Sequence, residues 1–294
     1  VQLFLGYHDK SLPAELSAFP RIKGDVSTLL YWDKLLEHKP DTIIHLAAQT
    51  SAAKAHTQPL QDYKQNVLPL YLLSQTCQRL AYTPKILLAS TSTVHGSQQT
   101  SALNATHRLA PLTIYDLHKL AAEQMLQIQE TNSFVSASAL RLCNVYGPGP
   151  KLSNSDRGIL DKMISAALYG RTITIYRPGT MIRDYIFVSD VARAFLMGSA
   201  KFENLKGKPF VLGSGNGHTI HDAFNLVARI ATELTGKPTN VAEIDPPANI
   251  SSVASRDCTA DIAPFKQATD WEPHVQLHDG IKITAQHLLE NMHA

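Results

Sequence analysis

Short apolar runs alternate with longer amphipathic stretches through most of the chain, the pattern of a parallel sheet with helices on both faces. Val1–Leu5 reads as a first strand. Ile43-Ile44-His45-Leu46-Ala47-Ala48 follows Pro40-Asp41 and is apolar on both faces, as a central parallel strand is. The stretch from Pro59 to Ala81 has helical period, with Pro69 predicting a kink or break inside it. Ile86-Leu87-Leu88-Ala89 is a short buried strand that runs into Ser90-Thr91-Ser92-Thr93. A helix carrying Tyr115 and Lys119 continues to about Glu130, and a strand covers Val135–Leu142.

After Gly147-Pro148-Gly149-Pro150 the character changes. A loop rich in Ser, Asn and Asp leads to a helix over Ile159–Tyr169, strands over Thr172–Tyr176 and Arg183–Val188, and a helix from Asp190. Phe210–Gly213 reads as the last strand of the sheet. Helices near His221–Thr235 and Leu277–Asn291 belong to a smaller lobe. No internal repeat or low-complexity tract interrupts this order.

Composition narrows the function classes. The 294 residues carry a formal charge of +2, with basic residues scattered, which gives no surface for a nucleic acid. No apolar run approaches the roughly 18 residues that span a bilayer. Three widely spaced cysteines (Cys77, Cys143, Cys258) argue for reduced thiols in a cytoplasmic protein rather than a disulfide framework.

The chemistry concentrates around Tyr115-Asp116-Leu117-His118-Lys119. A phenol and an ammonium four residues apart share one helix face, and a nearby cation favours the phenolate, lowering its pKa from about 10. Alone, the pair also fits an exposed helical contact worth a few tenths of a kcal/mol. Open α/β sheets bind ligands beyond the carboxyl ends of their strands, and Leu46-Ala47-Ala48, Ser90-Thr91-Ser92 and Leu142-Cys143-Asn144 all fall at such ends. The first suits a close-lying ligand or plain helix–strand packing. The second suits substrate hydroxyl binding or turn chemistry.

An ordered set of short motifs carries a family resemblance. Gly24-Asp25-Val26, His45-Leu46-Ala47-Ala48-Gln49, Asn66-Val67, Ser90 through Gly96, Tyr115 with Lys119, Arg141 through Gly149, and Arg183 through Ala192 occur in sequence. The chain resembles the extended short-chain dehydrogenase/reductases, specifically the NAD-dependent nucleotide-sugar epimerase/dehydratase family, from about Val1 to Trp271-Glu272-Pro273. The resemblance implies a doubly wound Rossmann-type α/β domain over 1–150 and about 184–213. It implies a smaller substrate lobe over 151–183 and 214–294. It places Asp25 and Val26 beside the adenine, with Leu46, Ala47 and Ala48 along the ribose and phosphates and Asn66 also at the cofactor. Lys119 would bind the nicotinamide ribose beside Tyr115, and Thr91 falls on the catalytic Ser/Thr position. Asn144 would meet the nucleotide sugar, with Arg183 and, more weakly, Arg256 on its pyrophosphate. A guanidinium matches phosphate bidentately, whereas the plain alternative for Arg183 is a surface pair with Asp184.

The chain departs from the family pattern in several places. The Gly-x-x-Gly-x-x-Gly phosphate loop would precede Val1, so the sequence is expected to be a fragment of a longer protein. Asp9 is a candidate for the adenosine ribose or merely a turn cap, which leaves NADP open beside NAD. No Arg-Pro-Gly-Asp element is recognisable near Pro246-Pro247-Ala248-Asn249. Thr91-Ser92-Thr93 also lacks the acids that follow the catalytic Thr in family dehydratases, and elimination needs such an acid/base.

The expected activity is therefore an NAD-dependent nucleotide-sugar 4-epimerase working through a transient 4-keto sugar. The alternatives are an NAD(P)H-dependent keto-sugar reductase and a catalytically silent nucleotide-binding scaffold. A homodimer through the helices near Pro59–Ala81 and Leu112–Glu130 follows from the resemblance. No metal is expected: His218 with His221, and His274 with His278, lack further ligands at metal spacing. Cys143 has no base placed for it and reads as buried packing.

Overall fold

The structure, a computed structural model, describes residues 2–8, 16–97, 102–149, 158–246 and 256–292. Asp9, Val1 and Pro247-Ala248-Asn249 lie outside the described residues. In chain order the strands are β1 (Leu5–Tyr7), β2 (Arg21–Lys23), β3 (Thr42–His45), β4 (Lys85–Thr91), β5 (Ser136–Leu142), β6 (Asn144–Tyr146), β7 (Ile173–Tyr176), β8 (Ile182–Phe187), β9 (Pro209–Leu212), β10 (Gly217–Thr219) and β11 (Val241–Ile244). The helices are α1 (Leu29–Leu36), α2 (Ala52–Thr57), α3 (Pro59–Asn66), α4 (Leu68–Leu80), α5 (Ile114–Thr131), α6 (Ile159–Leu168), α7 (Val188–Ala200), α8 (Ile220–Thr235), α9 (Ala263–Thr269) and α10 (Leu277–Met292).

The chain forms two compact units. The first comprises Val1–Ser90, Thr113–Ala139 and Leu205–Lys208. Here β1 pairs parallel with β2, and β3 pairs parallel with β4, with the first half of β5 next in order. The core joins Trp32 and Leu36 of α1, Leu70 and Leu73 of α4, Ile86 and Leu88 of β4, and Met125 and Leu126 of α5. The helix expected over Pro59–Ala81 is two helices meeting at Val67. Pro69 sits in the first turn of α4, where its missing N–H and fixed φ are tolerated. Strand β3 is shorter than expected and is the outer strand of its sheet. Ile44 stays 36% exposed, and Leu46-Ala47-Ala48 leave the strand altogether.

The second unit comprises Thr91–Leu112, Leu140–Asn204 and Pro209–Ala294. Strand β9 follows the second half of β5 in the sheet order, and β8 runs between β6 (parallel) and β10 (antiparallel). β11 lies parallel to β7 in a separate pair, and β9 is the last strand in chain order of the sheet that contains β5, as the sequence predicts. These late strands are three and four residues long, too short to show a period of two. Leu160, Ile164, Phe187, Phe224, Val227 and Ile281 lead the larger core, while Leu103, Cys143, Val211, Cys258 and Ala260 form a smaller one.

Candidate active site

In the first unit, helix α5 starts from Thr113, whose hydroxyl accepts from the Asp116 N–H at 3.1 Å. That cap sets the helical phase in which Tyr115, His118 and Lys119 share one face. Tyr115 is half-buried, whereas Lys119 is only 3% exposed. The Lys119 Nζ donates to the Ala89 carbonyl near the end of β4 at 2.6 Å. Burial pulls the Lys119 pKa down to about 8, against the opposing pull of the Glu123 and Asp62 carboxylates. Glu123 in turn accepts from the Ser90 hydroxyl. His45, buried at the end of β3, is held neutral by burial and by the Lys119 charge, its pKa near 3.

The segment after β3 is open to a ligand. Leu46 is 61% exposed, and Ala47 and Ala48 are exposed beside it. Asn66 is buried beneath this segment, its amide donating to the Gln49 carbonyl at 3.0 Å. Asp25 shapes the turn into α1: its Oδ1 accepts from the Ser27 N–H at 2.8 Å and hydroxyl at 2.7 Å. These bonds hold the Asp25 carboxyl below its ordinary pKa. The carbonyl of Val26 accepts from the Trp32 indole at 2.7 Å.

In the second unit, the Thr91 hydroxyl accepts from the Thr93 N–H at 3.2 Å, capping the 3-10 turn Ser92–His95. Turn chemistry is thus part of what this hydroxyl does. The rest of the expected substrate set is joined by a chain of contacts. Cys258 Sγ lies 3.8 Å from the Ser92 hydroxyl and 3.6 Å from Cys143 Sγ. Asn144, next to Cys143, donates to the Asp184 carbonyl at 3.3 Å. Arg183 donates to the Ile182 carbonyl at 2.9 Å and to the Arg256 carbonyl, so the two arginines are neighbours. Burial lowers the Arg183 pKa from its ordinary value. The cysteine pair is buried, and Cys143, hydrogen-bonded to Cys258, has its thiol pKa pushed well up, as packing rather than nucleophilic use requires.

Arg183 does not make a surface pair with Asp184. Alternate residues of a strand face opposite ways, and Asp184 points inward, fully buried. Its Oδ1 accepts from Ser214 N and Oγ at 2.6 and 2.8 Å, and its Oδ2 accepts from Gly215 N and Ala260 N, both at 3.0 Å. Asp184→Asn turns an N–H₂ toward N–H donors, and is expected to cost about 2–4 kcal/mol of stability. Urea unfolding monitored by circular dichroism checks this value.

Comparison with known proteins fits this arrangement of elements. The model of the NAD dependent epimerase/dehydratase family matches residues 7–213, more than half of the chain. The chain belongs to this family. It is 28% identical over 269 residues to a UDP-glucose 4-epimerase of Mycolicibacterium smegmatis, covering 91% of this chain and 82% of the relative. It is 28% identical over 240 residues to a dTDP-L-rhamnose 4-epimerase of Burkholderia thailandensis, covering 70% and 66% of the two chains. Among solved structures, MoeE5 in complex with UDP-glucuronic acid and NAD superposes with a TM-score of 0.82 at 26% identity, over 99% of this chain and 91% of the other. The UDP-glucose 4-epimerase of Thermotoga maritima, at 23% identity and TM-score 0.83, covers 99% and 92% and shows the same fold.

The parallel α/β architecture expected from the sequence is thus that of epimerase/dehydratase structures. The residues present suit the dinucleotide of this family. Leu46, Ala47 and Ala48 offer exposed small and apolar side chains at a strand end, and Lys119 carries a three-donor ammonium that gives one bond to Ala89. Buried Asp62 and its half-buried partners Gln49 and His118, each bonded to it on the first unit, carry no role that the sequence alone assigns. The signal was thin, because a lone Asp on a helix and a His inside a Tyr-x-x-x-Lys stretch carry no period that separates buried from exposed.

No helix among the described residues is long and apolar enough to cross a membrane, and no group of three or more metal-ligating side chains occurs among them.

Proposed function

We propose that the chain is an NAD-using 4-epimerase of nucleotide sugars that works through a transient 4-keto sugar. The observation that carries this reading is the buried Lys119 ammonium, one helical turn from Tyr115 and anchored at the end of β4. Tyr115 accepts the proton of the sugar 4-hydroxyl and later returns it. Lys119 stabilises the phenolate and binds ribose hydroxyls. When bound, NAD would supply a reversible hydride acceptor for the sugar carbon that bears the 4-hydroxyl.

The first unit holds the cofactor. Leu46, Ala47 and Ala48 lie along its ribose and phosphates, Asp25 and Val26 beside its adenine, and Asn66 supports the Gln49 carbonyl from beneath. The second unit holds the nucleotide sugar, with Thr91 donating its hydroxyl to the sugar, Asn144 binding it, and Arg183 and Arg256 taking the pyrophosphate. The missing acid after Thr91 favours epimerisation over dehydration, since no carboxylate in Thr91-Ser92-Thr93 serves the second proton transfer. Relatives that are 4-epimerases support the same choice, while 4,6-dehydratases occur among the relatives as well.

The test is incubation of the chain with UDP-glucose, UDP-galactose and dTDP-L-rhamnose, without and with added NAD, followed by proton NMR of the anomeric signals. Interconversion of a pair of 4-epimers with no net cofactor consumption is expected. Stoichiometric consumption of NADH or NADPH with a single product would replace the reading by a keto-sugar reductase. Neither reaction, with NAD still bound, would leave a nucleotide-binding scaffold.

We also propose a homodimer. Leu60, Tyr63 and Tyr71 on α3 and α4, and Leu117 and Ile128 on α5, are exposed large side chains on helices of one unit. Sedimentation velocity is expected to give twice the 32.3 kDa chain mass, and a monomer at micromolar concentration would refute the pairing. The three thiols are free, which suits a reducing, cytoplasmic setting.

A further inference from the structure

Asp62 has no part in the chemistry above, yet it is 1% exposed on α3 and collects three side-chain donors. Its Oδ1 accepts from Gln49 Nε2 at 2.7 Å and from Asn66 Nδ2 at 3.0 Å. Its Oδ2 faces His118 Nδ1 at 2.6 Å. The partners come from separate places. Gln49 directly follows the exposed Leu46-Ala47-Ala48 segment, Asn66 ends α3, and His118 lies on the Tyr115–Lys119 face of α5. The Gln49 side chain also holds its own segment, donating to the Ser51 carbonyl at 2.8 Å and accepting from the Ser51 N–H. The His118 ring packs edge-on against Tyr63 at 5.8 Å, which restricts the orientation of its Nδ1.

We propose that Asp62 is a positioning residue that clamps the Tyr115–Lys119 face of α5 to the Leu46–Ala48 segment through His118 and Gln49. Removing a carboxylate from water is unfavourable unless it is well bonded, and an apolar side chain fills the same volume without that cost. Plain helix packing therefore does not call for an acid here. A carboxylate does what packing cannot: it takes directed bonds from two segments at once, fixing the distance between the cofactor-facing segment and the proton-handling helix face. The roles of the residues so positioned rest on the proposed function; the clamp itself does not.

The buried charge has a second effect. Lys119 has Glu123 as the larger and Asp62 as the smaller of the two carboxylates that oppose its desolvation. Asp62 thus helps keep the ammonium that Tyr115 needs. The other titratable groups around Lys119 are Tyr115 and His118 on α5 itself and the neutral His45 on β3. The helices packed on α5 also carry Tyr63 and Lys64 on α3, Lys54 and His56 on α2, and Tyr71, Cys77 and Arg79 on α4, the last paired with Asp33.

The test follows Lys119 rather than turnover. The whole chain is acetylated briefly across pH 6–10 without added cofactor, modification of Lys119 is read by mass spectrometry, and NAD affinity is measured by calorimetry. In Asp62→Asn the midpoint of Lys119 labelling is expected to fall by about one pH unit, a tenfold loss of ammonium in the titrating range, and NAD is expected to bind about tenfold more weakly. His118→Asn, whose amide offers a donor where the Nδ1 stood, is expected to keep both within about threefold of wild type. Gln49→Leu is expected to weaken NAD about tenfold and leave the Lys119 midpoint in place, separating the clamp from the charge.

Wild-type labelling and wild-type NAD affinity in Asp62→Asn would overturn the proposal. If Asp62→Asn does not accumulate folded, Gln49→Leu decides: unchanged NAD affinity there overturns the clamp. Weakened NAD binding in Gln49→Leu alongside an active Tyr115→Phe would leave the clamp standing and remove the proposed function.

Discussion

Tyr115→Phe is expected to lower kcat by about a thousandfold, in the range that loss of a positioned acid/base produces. The phenyl ring keeps the packing of a half-buried side chain, so the fold should change by at most about 1 kcal/mol for one lost polar contact. NAD content should match wild type, because Lys119 still donates to Ala89 and still presents its ammonium. The informative pattern is therefore a large loss of turnover with stability and cofactor content preserved. A buried cation beside a phenol favours the phenolate, since charges interact far more strongly away from water. NMR assay of the purified variant, with thermal melting and absorbance of released NAD as controls, checks all three quantities. Activity within tenfold of wild type would remove Tyr115 from the chemistry.

The boundaries that sequence reading handled well are those where one element is long and strongly periodic. Helix α5 was expected to end near Glu130 and ends at Thr131, because its apolar positions Leu120, Ala122, Met125 and Leu126 repeat over eighteen residues. Helices α8 and α10 were legible for the same reason. Strands β2, β6, β10 and β11 were not, since three or four residues give no alternation to read. At the site, Tyr115 and Lys119 announce themselves by spacing within one helix. The orientation of Asp184 also follows from strand alternation with Arg183, once β8 is known to be a strand. Asp62 and His118 come together across 56 positions of sequence, and no local pattern reports such a meeting. Buried polar clusters are thus the part of this site that needed coordinates. Their members look like ordinary surface residues until the fold shows what they touch.

Raising the pH through about 8 is expected to weaken NAD binding to the cofactor-free chain while leaving binding below pH 7 flat. In the proposed function the Lys119 ammonium donates to ribose hydroxyls, and burial brings its pKa down to about 8, so each further pH unit removes about nine-tenths of the remaining cation. The same shift acts on stability with the opposite slope. The unfolded chain, with an ordinary lysine near 10.5, binds more protons than the folded one between about pH 8 and 10.5. Stability contributed by this residue therefore rises with pH across that window and is flat below it. The burden of keeping the charge buried at neutral pH is of the order of 3 kcal/mol. Lys119→Met isolates both effects. Its NAD affinity should be low and without the decline above pH 8. The melting temperature of wild type relative to Lys119→Met should climb from pH 8 to 10. Contributions of other groups, such as Tyr31 and Tyr82, whose pKa values burial raises above the ordinary phenol value, cancel in that difference. Calorimetric titration of NAD and paired thermal melts at half-unit pH steps provide the two curves. A wild-type affinity that stays level to pH 10 would show that Lys119 does not hold the cofactor. A pH-independent melting difference would show that its proton is bound equally in both states. A lysine that lowers stability at neutral pH yet is needed as a cation there is the expected signature of a residue kept for chemistry rather than for folding.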